Sequence, residues 1–161
     1  MATLTNNELL GLPIEPLQKS RFRVTVDGIP AFLVQAVTIP QAVTSQIEIQ
    51  QINTSEKVAG RTTYSDMSMT LYQAIAPSTM QLVQTWHRLN HERATGLKGY
   101  ADTYKKTITI EIVDGLGVVV QMWKVYGCWI KTITGVDYNK SEDAKVDITL
   151  DISCDWSELV F

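Results

Sequence analysis

His87 and His91 stand four residues apart, the spacing that puts two imidazoles on one helix face and could begin a metal site. Arg88, Leu89 and Asn90 lie between them, so the Glu of a His-Glu-x-x-His motif is missing. No third ligand is marked, and a polar helix face is the plainer reading. Gly115-Leu116-Gly117 follows a strand-like run but leads into Val118-Val119-Val120, whereas a turn that cradles phosphate needs a helix start. Asp147, Asp151 and Asp155 recur at every fourth residue; in a strand such neighbours lie ~13 Å apart and cannot share one cation. Lys57-Val58-Ala59-Gly60-Arg61 gathers two positive charges around a glycine, without the interleaved aromatics a nucleic-acid surface uses. Cys128 and Cys154 show no CxxC spacing and sit in apolar stretches, which reads as a buried reduced pair and leaves a bridge between them open. No nucleophile with its base, metal set or cofactor loop emerges, so the chain is expected not to be an enzyme and to need no cofactor.

The elements that carry these residues follow from composition. The chain has 161 residues, 45% hydrophobic and 19% charged, which suits one core of moderate size. Fourteen Lys and Arg against 17 Asp and Glu give a net charge of −3, and with no basic run a grip on phosphates is disfavoured. Val, Ile and Thr supply 47 residues, a β-branched excess that favours strands. The opening Met1 to Glu8 has no Lys or Arg ahead of an apolar run, so no secretory signal is expected and folding in the cytoplasm is. No apolar stretch approaches the ~18 residues of a spanning helix.

Gly11, Pro13 and Pro16 interrupt residues 1–20, which read as an irregular arm able to reach a neighbour. Phe22, Val24 and Val26 then alternate with polar residues up to Asp27-Gly28, predicting a strand and hairpin turn, with Ile29 to Val37 returning. Ile47 and Ile49 mark a third strand with one polar face. Residues 52–65 show no core stripe and read as a long loop that docks on a neighbour. Met67, Met69 and Leu71 restart the sheet. Leu82, Val83, Trp86, Leu89 and Arg93 recur at helical spacing between Pro77 and Gly96, predicting one long helix over about 77–96. Ile108, Ile110 and Ile112 form a strand that turns at Asp114 to Gly117 into Val118 to Lys131. From Lys145 to Trp156 alternation is unbroken over 12 residues, a strand of ~40 Å. Its Asp face must meet water or an aqueous lumen. Residues 157–161 are left as a C-terminal tail. The expected fold is mainly β with one long α-helix, an antiparallel β-sandwich or partial barrel in a single domain over residues 21–156.

The order and content of these pieces resemble the tail tube proteins of contractile-tailed bacteriophages, whose fold is shared with bacteriocin tubes and the type VI secretion tube. The likeness runs from Arg21 to Trp156 and rests on several segments. They are Phe22 to Gly28, Lys57 to Arg61, Met67 to Leu71, Trp86, Tyr104-Lys105-Lys106, Gly127-Cys128-Trp129 and Val136-Asp137-Tyr138. Ile130 departs from the proline of many relatives. The resemblance implies hexameric rings whose strands join neighbours into a closed β-barrel, stacked into a tube inside a contractile sheath. It further implies that Lys57, Val58, Ala59, Gly60 and Arg61 bridge rings, that Asp147, Asp151 and Asp155 line the channel, and that His87, Arg88 and His91 face the sheath. Partners would be further copies, the sheath, a tape measure protein, the baseplate and the tail terminator, with double-stranded DNA passing unbound. The protein would be assembled in the host cytoplasm as part of a virion tail. Six copies at −3 each carry −18 per ring, repelling DNA phosphates. Alternatives are a tube initiator or baseplate ring protein, a bacteriocin tube, or a monomeric β-barrel that binds a small ligand.

Overall fold

The computed structural model describes residues 15–161; most of the expected N-terminal arm lies outside them. Among the described residues nine strands form two antiparallel sheets: β1 (Phe22–Val26), β2 (Val34–Val37), β3 (Ala42–Gln50), β4 (Ser55–Tyr64), β5 (Met67–Tyr72), β6 (Lys106–Val113), β7 (Val119–Ile133), β8 (Asp147–Ser153) and β9 (Trp156–Leu159). Helix α1 (Thr79–Asn90) and the single turn α2 (Ala101–Tyr104) lie between β5 and β6. The seven-stranded sheet runs β1-β6-β7-β8-β5-β2, with β9 also on β7, and among the described residues β3 pairs only with β4.

Period-two burial explains the large sheet. Val24 and Val26 of β1, Ile108 and Ile110 of β6, Met67, Met69 and Leu71 of β5, and Ile148, Leu150 and Ile152 of β8 all enter one core. Each such side chain contributes about 1.5–3 kcal/mol over its exposed state, and the partners between them face outwards. Strand β7 carries the sheet from one layer to the other. Its first half pairs with β6 and β9 and its last five residues with β8, and the change falls at Gly127, whose φ is +65°.

That bend also divides the expected 12-residue strand. Alternation continues through Cys154 and Trp156, yet β8 stops at Ser153 and β9 begins at Trp156, both antiparallel to β7. Asp155 sits in the break, its N–H donating to Tyr126 O at 3.0 Å. A Cβ on Gly127 would lie 2.0 Å from Asp155 Oδ2, so glycine answers both the backbone twist and the close approach. The expected C-terminal tail is instead sheet: β9 pairs with β7 from Trp123 to Tyr126, and Val160 N–H continues to Met122 O at 2.8 Å.

Two more expectations change. Ile29 to Val37 is not the return strand of β1, because Pro30 has no N–H for a ladder; a 3₁₀ turn at Ala31–Leu33 leads to β2, which pairs with β5. Helix α1 covers 12 residues rather than 77–96. Pro77 lies before it, and at its far end His91 leaves helical φ/ψ and bridges Lys98. The start of α1 is fixed by Thr79, whose hydroxyl donates to Tyr72 O at 2.8 Å and accepts from Ala74 N–H at 3.1 Å. Trp86 then points its Nε1–H at Tyr104 O, 2.9 Å away. Finally, β1 and β2 end the sheet path unpaired to each other, so the described residues contain no closed barrel.

Cys128 and Cys154 are free thiols, and burial, helped by the nearby Cys154 sulfur, pushes the Cys128 thiol up to about 12, leaving it unreactive near neutrality. The bend gives a direct test of the fold. Gly127→Ala should lose about 1–3 kcal/mol of unfolding free energy, read from the urea midpoint of the purified chain. Gly135→Ala, where nothing lies within 4 Å, should stay within about 0.5 kcal/mol of the parent.

Candidate functional site

The residues expected to form an inter-ring loop lie in a projecting hairpin. Strand β4 pairs with β3 in register Ile47↔Val58, Glu48↔Lys57 and Gln46↔Ala59, so Lys57 to Arg61 are strand residues. Only Gln51 to Thr54 turns the chain, closed by Gln51 N–H donating to Thr54 O at 2.7 Å. A strand with no buried face shows no core stripe, which is why 52–65 resembles a loop in sequence. A bulge between Thr44 and Gln46 sets Ser45 against Gly60 and Arg61. Ser45 Oγ donates to Arg61 O at 3.2 Å, and a Cβ on Gly60 would lie 2.5 Å from Ser45 Oγ, so Gly60 permits the bulge.

The two faces of the hairpin differ. One carries Thr44 and Thr62, hydroxyl to hydroxyl at 2.8 Å, and Glu48 opposite Lys57. The other carries Val43, Ile47, Ile49 and Val58, exposed by 56%, 54%, 48% and 43%. Ile47 and Ile49 read as an ordinary half-buried strand, and the strand is there, but its apolar face meets no core of this chain. A two-stranded hairpin is marginal alone in water, and a bare apolar face on it marks a surface made to be covered.

The aspartates expected to line a channel are only partly gathered. Asp147 and Asp151 share the outward face of β8, opposite Tyr72 and Ser68 of β5, with Thr70 and Thr149 between them. Asp155 is separated from them by the strand break. Asp147 and Asp155 each hold a cation, whereas Asp151 makes no ion pair among the described residues. Lys145 Nζ lies 3.3 Å from Asp147, and Lys105 Nζ grips both oxygens of Asp155 at 3.0 and 2.7 Å. Lys131 Nζ lies 2.7 Å from Asp66. The hydrogen bond it donates to Asp66 and the charge of that carboxylate, with a weaker part from Asp151, hold the Lys131 ammonium above its usual range. Asp66, Asp147, Asp151 and Asp155 against Lys105, Lys131 and Lys145 leave one net negative charge. This surface is polar and weakly acidic, far from the −3 of the whole chain. Lys105 and Lys131 lie far in sequence from the aspartates they meet, so no local pattern pairs them, while Lys145 is a near neighbour of Asp147.

On α1, Arg88 is exposed and reaches Glu92 at 3.9 Å. His87 and His91 are half-buried, their Nδ1 atoms turned inward without a hydrogen-bond partner among the described residues. Burial first, then the charges of Arg93 and His91, lowers the His87 pKa, so this face is neutral at His87 near pH 7. Among the described residues no three His, Cys, Asp or Glu come together as a metal site. What the arrangement offers is adhesive surface: an apolar hairpin face, free sheet edges and a polar, nearly neutral sheet face.

Comparison with known proteins agrees with that reading. The family model for T4-like virus tail tube protein gp19 matches residues 18–155. No curated protein sequence matches. Among solved structures, the anti-feeding prophage tube-terminating cap superposes with a TM-score of 0.74 at 14% identity, covering 96% of this chain and 98% of that one. The sheath-tube complex of the extracellular contractile injection system PVC, in its extended state, gives 0.70 at 14% identity, covering 98% of each chain. Hcp1 from Flavobacterium johnsoniae gives 0.53 at 12% identity, covering 87% and 94%. At these identities the structures share the fold. In the dispersed subunit, hydrogen exchange should run about 100-fold or more faster over 42–50 and 55–64 than over 67–72 and 147–153; equal protection would show that the hairpin is already held.

Proposed function

We propose, since this chain belongs to the T4-like virus tail tube protein gp19 family, that its copies close into hexameric rings and that the rings stack into the inner tube of a contractile tail. The chain is a structural tube protein. The observation that carries the finer reading is the hairpin of β3 and β4, whose Val43, Ile47, Ile49 and Val58 are exposed on an arm with no core of its own. Strands β1 and β2, free at the two ends of the sheet path among the described residues, supply the second half of the argument. Edges that stay open invite uncontrolled pairing, and joining them around a ring removes them.

In this reading Lys57 to Arg61 and the facing stripe of β3 reach the adjacent ring. The outward face of β8 and β5 lines the channel, and α1, with His87, Arg88 and His91, turns to the sheath. Further partners are the baseplate, the tail terminator and a tape measure protein within the bore. The protein takes its place in a virion tail after assembly in the host cytoplasm, and has no catalytic role. Double-stranded DNA passes without being gripped. With one net charge per subunit on the channel face, six copies present about −6 rather than −18, enough to discourage phosphate binding without a strong barrier.

Two experiments test this. Ile47→Asp with Val58→Asp should give subunits with parent circular dichroism that form no tubes under negative stain. Tubes of parent length would overturn the role of the hairpin, and single rings from the unmodified protein would point instead to a ring that starts or ends a tube. Separately, Asp147→Lys with Asp151→Lys should leave tubes intact and slow genome ejection, because the bore then attracts phosphate; unchanged ejection kinetics would remove these residues from the channel.

A further inference from the structure

The outward face of β7 and β9 carries a second aliphatic surface, apart from the hairpin and from the polar face of β5 and β8. Val125 is buried and Trp123 packs against the core, so by parity Met122 and Lys124 of β7 turn outwards. Lys124 pairs in register with Glu158, and Val160 N–H donates to Met122 O at 2.8 Å, which sets Val160 beside Met122 on that face. Val120 is exposed next along β7, with Val118 and Leu116 exposed in the turn before it. The patch ends at a cation. Glu158 accepts from the Tyr126 hydroxyl at 3.0 Å, and Lys124 makes no ion pair among the described residues.

This patch and the root of the β3–β4 hairpin stand at opposite ends of the subunit. The root lies where β8 gives way to β9: Ser65 N–H donates to Gln41 O at 3.0 Å, and the Cys154 thiol donates to Ser65 O at 3.5 Å. Level with that corner β6 begins, Lys106 pairing with Cys128. From there its eight residues run roughly 26 Å to the turn that bears Leu116. One chain leaves both surfaces bare. Their patterns match. On the hairpin, Ile47 and Val58 form a cross-strand aliphatic pair, and Ile49 with Glu56 follows on the same face. On the patch, Met122 and Val160 form the pair and Lys124 follows. Each surface therefore carries a charge about 7 Å beyond its aliphatic pair, acidic on the hairpin and basic on the patch. Like Lys124, Glu56 makes no ion pair among the described residues.

We propose that the aliphatic face of the β3–β4 hairpin seats on Met122, Val160 and Val120 of a second copy, with Glu56 paired to Lys124 across the contact. The inference rests on the reading of the hairpin as the arm that reaches the adjacent ring, and adds the surface that receives it. Buried aliphatic area holds the contact, and the charge pair fixes which way the hairpin lies. A contact between opposite ends of identical subunits is heterologous, so it passes from copy to copy instead of stopping at a pair.

The test is a charge exchange with a cross-link beside it. Glu56→Lys and Lys124→Glu should each cut the yield of tubes under negative stain about tenfold or more, because like charges then meet in the contact. The two together should restore it to within about twofold of the parent. In a Cys154→Ser background, with Cys128 buried, Val58→Cys and Val160→Cys oxidised in assembled tubes should give a covalent ladder running past six copies. A ladder that stops at two shows a two-fold pair, and one that stops at six shows a contact within the ring; either overturns the proposal. So does parent yield from both single charge variants, or an exchanged variant that stays as poor as they are. Where the cysteine pair prevents assembly, the charge exchange decides alone. Ile47→Asp with Val58→Asp separates the two levels: if it abolishes tubes while the exchange fails, only the receiving surface falls, and if tubes persist, the hairpin reading beneath it falls as well.

Discussion

Strand β7 belongs to both layers of the sandwich, and the turn it makes at Gly127 is the constraint on which the rest depends. With a left-handed residue there, the strand pairs with β6 and β9 before the bend and with β8 after it, so one continuous sheet encloses its own core. The opposing strand must yield at the same level, and it does so at Asp155, whose side chain occupies the space a Cβ on Gly127 would need. Lys105 then holds Asp155 from the segment after α2. A residue that sequence presents as one of three equivalent surface charges is therefore a fastening at the corner of the fold.

Wrapping a sheet of this length over one core leaves two margins, β1 and β2, and a single chain does not bring them together. A soluble protein that ends this way must charge the margins, cover them, or pair them with other chains. Arg23 with Glu111 on the outer face of β1 and β6 supplies some charge, but Phe22, Val37 and Ile39 keep the gap between the margins apolar. The same is true of the hairpin, where β3 and β4 pair with each other and one exposed face carries Val43, Ile47, Ile49 and Val58. Such surfaces cost stability in an isolated subunit and repay it on assembly, which couples the folding of these parts to the presence of neighbours.

How much of this was legible depended on where each strand found its partner. Wherever one face is buried in the chain's own core, as in β1, β5, β6 and β8, period-two alternation announced the strand and its inward residues. Strand β4 has two solvent faces, so Ser55–Tyr64 carried no alternation and read as a loop. The break before β9 was invisible for the opposite reason: alternation runs on through Trp156, and the kink is imposed by Gly127 on another strand. Trp156 is turned out to stack on Tyr126 at 4.1 Å between ring centroids, contrary to its parity. Helix α1 overran its true end because Arg93 continues the helical spacing, while the bridge of His91 to Lys98 is a pairing no local pattern shows. The aspartates are visible and the pairings of Lys105 and Lys131 are not, since charge compensation across strands is a property of the fold.

The hairpin and the polar sheet face also answer different physical demands, which is why their residues are so unlike. A contact between subunits must bury apolar area to hold, and its register must be single-valued. Val43, Ile47, Ile49 and Val58 provide the area, and the bulge at Gly60 breaks the symmetry of the ladder so that a one-residue slip would be resisted. A face exposed to water for the life of the assembly has the reverse requirement: hydroxyls and paired charges, with no aliphatic stripe and no large net potential. Ser68, Thr70, Thr149 and Ser153, with lysines set against the aspartates, meet it. On the proposed reading a hairpin from one copy meets a different surface on the next, which makes the contact heterologous, and such contacts either close into rings or propagate as filaments. A tube of stacked rings needs both, and a chain with two free sheet margins and a separate projecting arm carries one device for each.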